Sequence, residues 1–422
     1  MTNTINASII TIGDEILIGQ ITDTNSSYIS RQLNRIGIWV QRRVSVGDSK
    51  AAIWKALKEE EENSDLVIIT GGLGPTADDI TKPVLAEYFG TRLVLNEKVL
   101  KHVEYLFDKV YKRGLPLLER NRKQAEVPET CTVLVNERGT APGMWFQKNE
   151  KIFISLPGVP HEMKGLMEKE VLPKLETAFK RPYILHQTLL TAGTGESILA
   201  EHIRVWEENL PPHMKLAYLP HYGLVRLRLT TTGENKNALE KELEEQFEAL
   251  KELVRSWLVI DEDLTLAQAV AKLLKERKQT IGTAESCTGG YIAHLLSRDP
   301  GSSSNYKGTV VSYDNAVKMD ILGVKQETLD EYGAVSEQTV REMASGALEQ
   351  LKADYVIATS GILGPDGGSE NKPVGLVWIA VADKQRMVAE KFHYGFDRSR
   401  NMEMTTISAL NLVRKLILSA GT

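Results

Sequence analysis

Residues 280–296 read TIGTAESCTGGYIAHLL. An apolar, β-branched run ends in a polar knot, Glu285-Ser286-Cys287-Thr288-Gly289-Gly290, and a helix-like pattern follows. Strand, polar turn and helix in that order make one βα unit, and the same alternation extends on both sides of it. LAQAVAKLLKERK (266–278) precedes it as a helix, and GTVVSYDNAVKMDILGV (308–324) follows as strand and helix. VSEQTVREMASGALEQLKA (335–353) has the apolar spacing of a long helix, and DYVIATSGILGPDGG (354–368) is a strand running into a glycine-rich loop. Two more strands, VGLVWIAVAD (374–383) and RMVAEKFHYG (386–395), and a closing helix complete an α/β domain.

The first 175 residues show the same habit. ASIITIG (7–13), WVQRRVSVGD (39–48) and DLVIITGG (65–72) read as strands, separated by the helices TNSSYISRQLNRIG (24–37) and KAAIWKALKEEEEN (50–63). Ile29, Leu33 and Ile36 share one face of the first helix, with Thr24 or Asn25 as N-cap and Gly37 just past its end. This βαβαβ order predicts a parallel sheet covered by helices. MWFQKNEKIFISL (144–156) predicts a hairpin turning near Lys148-Asn149-Glu150. Between the two α/β domains, residues 180–258 change character to a small α+β module. Its charged helix KNALEKELEEQFEALKELVRSWL reads as a solvated face. The fold class is thus α/β, two domains with mainly parallel sheets joined by the module.

At 422 residues the chain is too long for one core. With 42% hydrophobic and 25% charged residues and a net charge of −5, it has the balance of an ordinary globular protein and no global attraction to nucleic acid. Direct nucleic-acid binding is not expected. Its only two cysteines, Cys131 and Cys287, lie far apart without metal-ligand spacing, so a reducing compartment is expected. No transmembrane-length run and no secretory leader pattern is visible, so a cytoplasmic, membrane-free protein is expected.

Two loop systems carry chemistry. In VIITGGLGPTADDITKPVLAEYF (67–89), Gly71, Gly72 and Gly74 let backbone approach a ligand, and Thr76 to Asp79 are read as opening a helix whose N-terminus favours anions. A P-loop lysine is missing. Asp78 and Asp79 are candidate ligands for a divalent cation bridging phosphates, against the plainer reading in which one caps the helix and the other sits in solvent. Asp14, Glu15, Asp23, Asn25 and Asp48 gather at other strand ends, where parallel α/β sheets bind ligands. In the last domain, Ser286 follows a strand, and the N–H groups of Thr288, Gly289 and Gly290 are candidate donors to an oxyanion or phosphate. His294 and His393 do not lie at strand ends, and position 289 is glycine, so neither a Ser-His-Asp triad nor an SxxK pair is supported. SYDNAVK (312–318) offers Lys318 as a desolvated base and Tyr313 beside it, with Asp314 or Asn315 as cap. The loop after Thr359 adds Ser360, Gly364, Asp366, Gly367, Gly368 and Lys372. These residues alone leave the choice between Ser286 and Cys287 open.

The chain resembles the CinA (competence/damage-inducible protein A) family along its whole length. IGDEILIGQITDTN, TGGLGPTADDIT, LPGVPHEM, AESCTGG, SYDNAVK, GAVSEQTV and SGILGPDGGSENKPVG match it in order. The resemblance implies three parts. Residues 1–175 are similar to molybdopterin-binding proteins of the MoaB/MogA type, with ADP-ribose pyrophosphatase activity that uses a divalent ion (Mg, Mn or Co). Residues 180–258 are KH-like. Residues 262–422 resemble the PncC amidohydrolase, a hydrolase of NAD metabolism that deamidates nicotinamide mononucleotide to nicotinate mononucleotide and ammonia without a cofactor. It further implies Ser286 as nucleophile, Lys318 and Tyr313 as its partners, Ser360 where many relatives have threonine, and Asp48 and Asp79 as functional aspartates. An arginine of the last helix is also implied, with Arg398 and Arg400 present early and Met402 and Glu403 where some relatives carry arginine. Cys287 is then a packing residue. The expected partners are the pyridine nucleotides and a second copy of the chain in a homodimer. The alternative is a first domain that only binds a pterin or nucleotide, in a protein acting as a regulator of competence or DNA repair.

Overall fold

The computed structural model describes residues 5–110 and 117–419. The chain forms two compact units, Met1–Leu185 with Thr231–Lys241, and His186–Thr230 with Glu242–Thr422. No helix among the described residues is long and apolar enough to cross a membrane.

The first unit is built on a six-stranded sheet in the order Trp39–Val46, Asn6–Ile12, Leu66–Thr70, Lys151–Leu156, Gly143–Lys148, Thr132–Leu134. The first four strands run parallel and the last two antiparallel, so the sheet is mixed. The hairpin causes the switch. Asn149 and Glu150 have φ of 51° and 65°, the left-handed pair that a two-residue turn needs to reverse the chain. Helix Thr24–Arg35 buries Ile29 and Leu33 on one face of the sheet, and helix Lys50–Asn63 buries Ile53 and Leu57 on the other. The cap of the first helix is Asp23, which accepts from the Ser26 N–H at 2.9 Å, rather than Thr24 or Asn25.

In the second unit the strands Tyr306–Val311, Ile281–Glu285 and Tyr355–Gly361 run parallel, and Leu376–Ala382 and Met387–His393 extend the sheet antiparallel. Alternate residues serve two cores. Ile281, Ile357 and Ile379 face helices Leu266–Glu276 and Arg398–Leu418, while Ala284, Ala358 and Ala380 face helix Glu337–Leu351. Small side chains on that second face let the helix lie close. It also presses on the end of helix Asn315–Leu322, where a Cβ on Gly346 would stand 1.9 Å from the Leu322 carbonyl oxygen. A four-stranded sheet in the order Met214–His221, Leu224–Gly233, Tyr183–Ala192, Leu258–Ile260 belongs to the middle of the chain.

Candidate functional site

The three parallel strands of the second unit deliver their carboxyl ends to one place. The Ser286 N–H donates to the Thr359 carbonyl at 3.0 Å and the Ser312 N–H to the Glu285 carbonyl at 2.8 Å, so the pairing continues one residue beyond each strand. Ser286 is thereby held by its neighbours as the chain leaves the sheet. The turn that follows passes through Gly289 and Gly290 at φ of 59° and 96°, where a side chain would be strained. Helix Tyr291–Ser297 then begins.

The sequence reading missed the role of Glu285. Its fully buried carboxylate accepts from the N–H groups of Gly290 (2.9 Å), Ile292 (3.1 Å) and Ala293 (2.8 Å) and from the Thr283 hydroxyl (3.0 Å). The anion-seeking end of the helix is thus filled by the chain's own carboxylate. The Gly289 N–H donates to the Ser286 carbonyl at 3.1 Å, and the Thr288 hydroxyl pairs with that of Thr359 at 2.8 Å. Thr288, Gly289 and Gly290 do not line the cavity described next, and the N–H groups of Gly289 and Gly290 are taken up within the turn, which corrects the expected role of these two glycines as donors to a ligand. The N–H groups of Cys287 and Thr288 have no backbone acceptor among the described residues.

A cavity of about 270 Å³ opens at these strand ends, and Ser286, Tyr313, Lys318, Ser360, Gly364, Asp366 and Gly367 all line it. Lys318 is 1% exposed. Its amine donates to the carbonyls of Ser312 (2.8 Å) and Tyr313 (3.2 Å), and burial holds its pKa below the usual lysine range. Helix Asn315–Leu322 places it, with Asp314 as cap accepting from the Ala316 N–H at 2.7 Å. Tyr313 lies two residues past its strand, 63% exposed. The Ser360 hydroxyl donates to the Ala334 carbonyl at 2.6 Å. Arg398 also lines the cavity. It donates to the Gly364 carbonyl at 2.9 Å and to the Tyr313 hydroxyl at 3.0 Å, joining the glycine-rich loop to the SYDNAVK segment. Arg400 stacks instead over Phe396, 3.8 Å from the ring centre. Cys287 is buried in the core, and burial pushes its thiol up to about 12. Lys372 is turned away, donating to the Tyr332 carbonyl at 2.5 Å.

The first unit gathers its expected residues differently. Asn25 braces two strand ends, donating to the Thr70 hydroxyl (3.2 Å) and the Gly158 carbonyl (2.8 Å), while its Oδ1 is buried without a partner among the described residues. Gly71 and Gly72 meet structural needs, since a Cβ would stand 2.2 Å from the Ile12 carbonyl oxygen or the Thr81 hydroxyl, respectively. The segment Thr76–Asp79 does not open a helix. Asp79 accepts from the N–H groups of Gly74 and Thr76, both at 2.8 Å, and from the Thr76 hydroxyl, which ties the segment into a loop and delays the helix to Thr81–Tyr88. Asp78 is exposed. Among the described residues no three His, Cys, Asp or Glu side chains converge as metal ligands. Both oxygens of Asp79 already accept hydrogen bonds within the loop, so Asp78 and Asp79 do not stand as a pair of free carboxylates. Asp48 and Asp14 each accept the other's backbone N–H, at 2.9 and 3.2 Å. Burial and then the charges of Asp14, Glu15 and Asp78 raise the Asp48 carboxyl. Lys82, unnoticed in the sequence, is buried, donates to the Gln124 carbonyl at 2.7 Å, and is pushed down to about 8 by burial.

Comparison with known proteins matches three family models. These are a "Probable molybdopterin binding domain" at residues 8–177, a "Damage-inducible protein CinA KH domain" at 186–258 and a "CinA C-terminal domain" at 263–417. A CinA-like protein of Cytophaga hutchinsonii is 48% identical over 415 residues, covering 98% of this chain and 99% of its own. A CinA-like protein of Flavobacterium psychrophilum is 48% identical over 413 residues, 98% of each chain. Among solved structures, the competence/damage inducible protein CihA from Agrobacterium tumefaciens is 40% identical, covering 36% of this chain and 93% of its own at a TM-score of 0.35.

Proposed function

The chain belongs to the CinA family, and from that premise we propose that its C-terminal domain hydrolyses the carboxamide of nicotinamide mononucleotide, giving nicotinate mononucleotide and ammonia. The observation that carries this reading is a buried amine of lowered pKa lining the same cavity as a serine hydroxyl at a strand end. A neutral Lys318 has two N–H bonds, which its two carbonyl acceptors occupy, and its lone pair remains to take the Ser286 proton. Ser286 Oγ then attacks the amide carbon, and the negative charge on the amide oxygen falls to the N–H groups of Cys287 and Thr288. The Lys318 ammonium returns the proton to the leaving nitrogen, ammonia departs, and water cleaves the serine ester by the reverse route. Arg398, with Tyr313 and the Gly364–Gly367 loop, supplies positive charge and donors for the nucleotide's phosphate and ribose. The small volume favours a mononucleotide over a dinucleotide. Ammonia release from nicotinamide mononucleotide, wild type against Ser286→Ala, tests it. Retention of activity by the variant overturns it.

A second reading concerns the first domain, ADP-ribose pyrophosphatase. It rests on Asp48, whose carboxyl is raised among Asp14, Glu15 and Asp78. A cation shared with ligand phosphates needs only one or two carboxylates, and it would polarise the pyrophosphate there. AMP release from ADP-ribose with Mg, Mn or Co, lost in Asp48→Asn, is the expected result. No release with any of the three metals refutes it.

A further inference from the structure

Within the second unit lies another cavity, of about 420 Å³, that shares no lining residue with the Ser286 site. Leu190, Leu224, Leu266, Leu295 and Leu410 give it an apolar body. Into this body come two cationic groups. Arg226 and Arg298 line it, against one carboxylate, Glu403, which already accepts from the Tyr291 hydroxyl. Arg298 is exposed, with the Asp299 carboxylate 3.7 Å away. Among the described residues Arg226 Nε is buried without a hydrogen-bond partner, while Nη2 of the same group donates to the Leu264 carbonyl at 3.1 Å and the Asp263 carboxylate, 77% exposed, stands 3.5 Å from Nε. Thr406 lines the same space, is fully buried, and its hydroxyl has no partner among the described residues. Orphaned buried donors are costly, and they cluster here beside an apolar void of ligand size.

We propose that this cavity binds a small amphipathic anion. Its apolar body lies against the leucines, its anionic group meets Arg226 and Arg298, and Thr406 supplies a further hydrogen bond. A carboxylate, sulfonate or phosphate on a ring or short chain has this chemistry. The site is separate from the reaction at Ser286.

The test uses the full chain and 8-anilinonaphthalene-1-sulfonate as probe, with fluorescence titration and calorimetry for stoichiometry. One saturable site per chain is expected. N-phenyl-1-naphthylamine, which lacks the sulfonate, should bind at least about tenfold more weakly. Arg298→Glu, at an exposed position, should weaken the sulfonate by about tenfold or more, and Leu295→Trp, which fills the void, should abolish the site. Circular dichroism and melting confirm that each variant is folded, and Ser286→Ala should bind the probe as wild type does. Equal affinity for the charged and uncharged probes, an unchanged site in Arg298→Glu, or no saturable site in the wild type overturns the proposal.

Discussion

Replacing Lys318 with methionine separates the chemistry of the amine from its packing. Methionine keeps most of the volume and removes the proton acceptor. If the amine is the general base, kcat for ammonia release should fall by about 10²–10⁴, or roughly 3–5 kcal/mol of barrier. Stability should move far less. The variant loses two hydrogen bonds, to the Ser312 and Tyr313 carbonyls, each worth about 1 kcal/mol net. It also loses the cost of keeping an ammonium at 1% exposure, where each tenfold preference for the neutral form corresponds to about 1.4 kcal/mol. These terms oppose each other, and the melting temperature should shift by only about 3 °C in either direction.

The pH dependence gives a second reading of the same group. The base works deprotonated, so wild-type kcat should climb with pH and level off once pH passes the lowered lysine value. Because the folded protein releases this proton below the unfolded value of about 10.4, the unfolded chain binds more protons in between. Stability therefore rises with pH across that window, with the destabilisation fully present below the folded value and gone above the unfolded one. The methionine variant should lose that increment. The assay is ammonia release from nicotinamide mononucleotide between pH 6 and 10.5, paired with thermal unfolding at each pH. A folded Lys318→Met protein within threefold of wild-type kcat, or a wild-type profile that falls as pH rises towards 9, would refute the assignment.

Cys287→Ala should stay within about threefold of wild-type activity and lose about 1–2 kcal/mol of stability, because a thiol held near 12 is about one part in 10⁵ thiolate at pH 7. Iodoacetamide at pH 7.5 should likewise leave ammonia release intact. Glu285→Gln should destabilise the protein by about 2–3 kcal/mol in urea unfolding, since an amide oxygen replaces a carboxylate that accepts four hydrogen bonds. A loss under 0.5 kcal/mol would show that the clamp is not a significant stabiliser. Arg398→Met should raise KM for the mononucleotide about tenfold or more while changing kcat less, and Arg400→Met should change neither; equal effects of the two would remove Arg398 from the site.

Strand and helix positions were legible because they depend on local spacing. The strand ending at Glu285, a cap at Asp314 or Asn315 and a hairpin near 148–150 all follow from period and turn chemistry. The Thr76–Asp79 segment was misread because Asp79 reaches back five residues to the Gly74 N–H, and an anion at a helix start looks the same in sequence as one that closes a loop. Gly289 and Gly290 were misread for a related reason. The Gly289 N–H closes on the Ser286 carbonyl, and that of Gly290 faces a carboxylate, Glu285, that nothing in its spacing marks as buried. Arg398 stood beside Arg400 with no local feature to separate them.

By itself the sequence determined the alternation of strands and helices, and through it the α/β class, the antiparallel hairpin and the polar strand ends. It named Ser286, Lys318, Tyr313 and Ser360, which are separated by up to 74 residues, as possible companions. Only the tertiary structure decided that the four line one cavity with Arg398, that burial lowers the pKa of Lys318, and that the helix after Ser286 is already capped. The physical reason is range. Backbone preference acts over a few residues, whereas desolvation and convergence depend on which distant segments the sheet brings together.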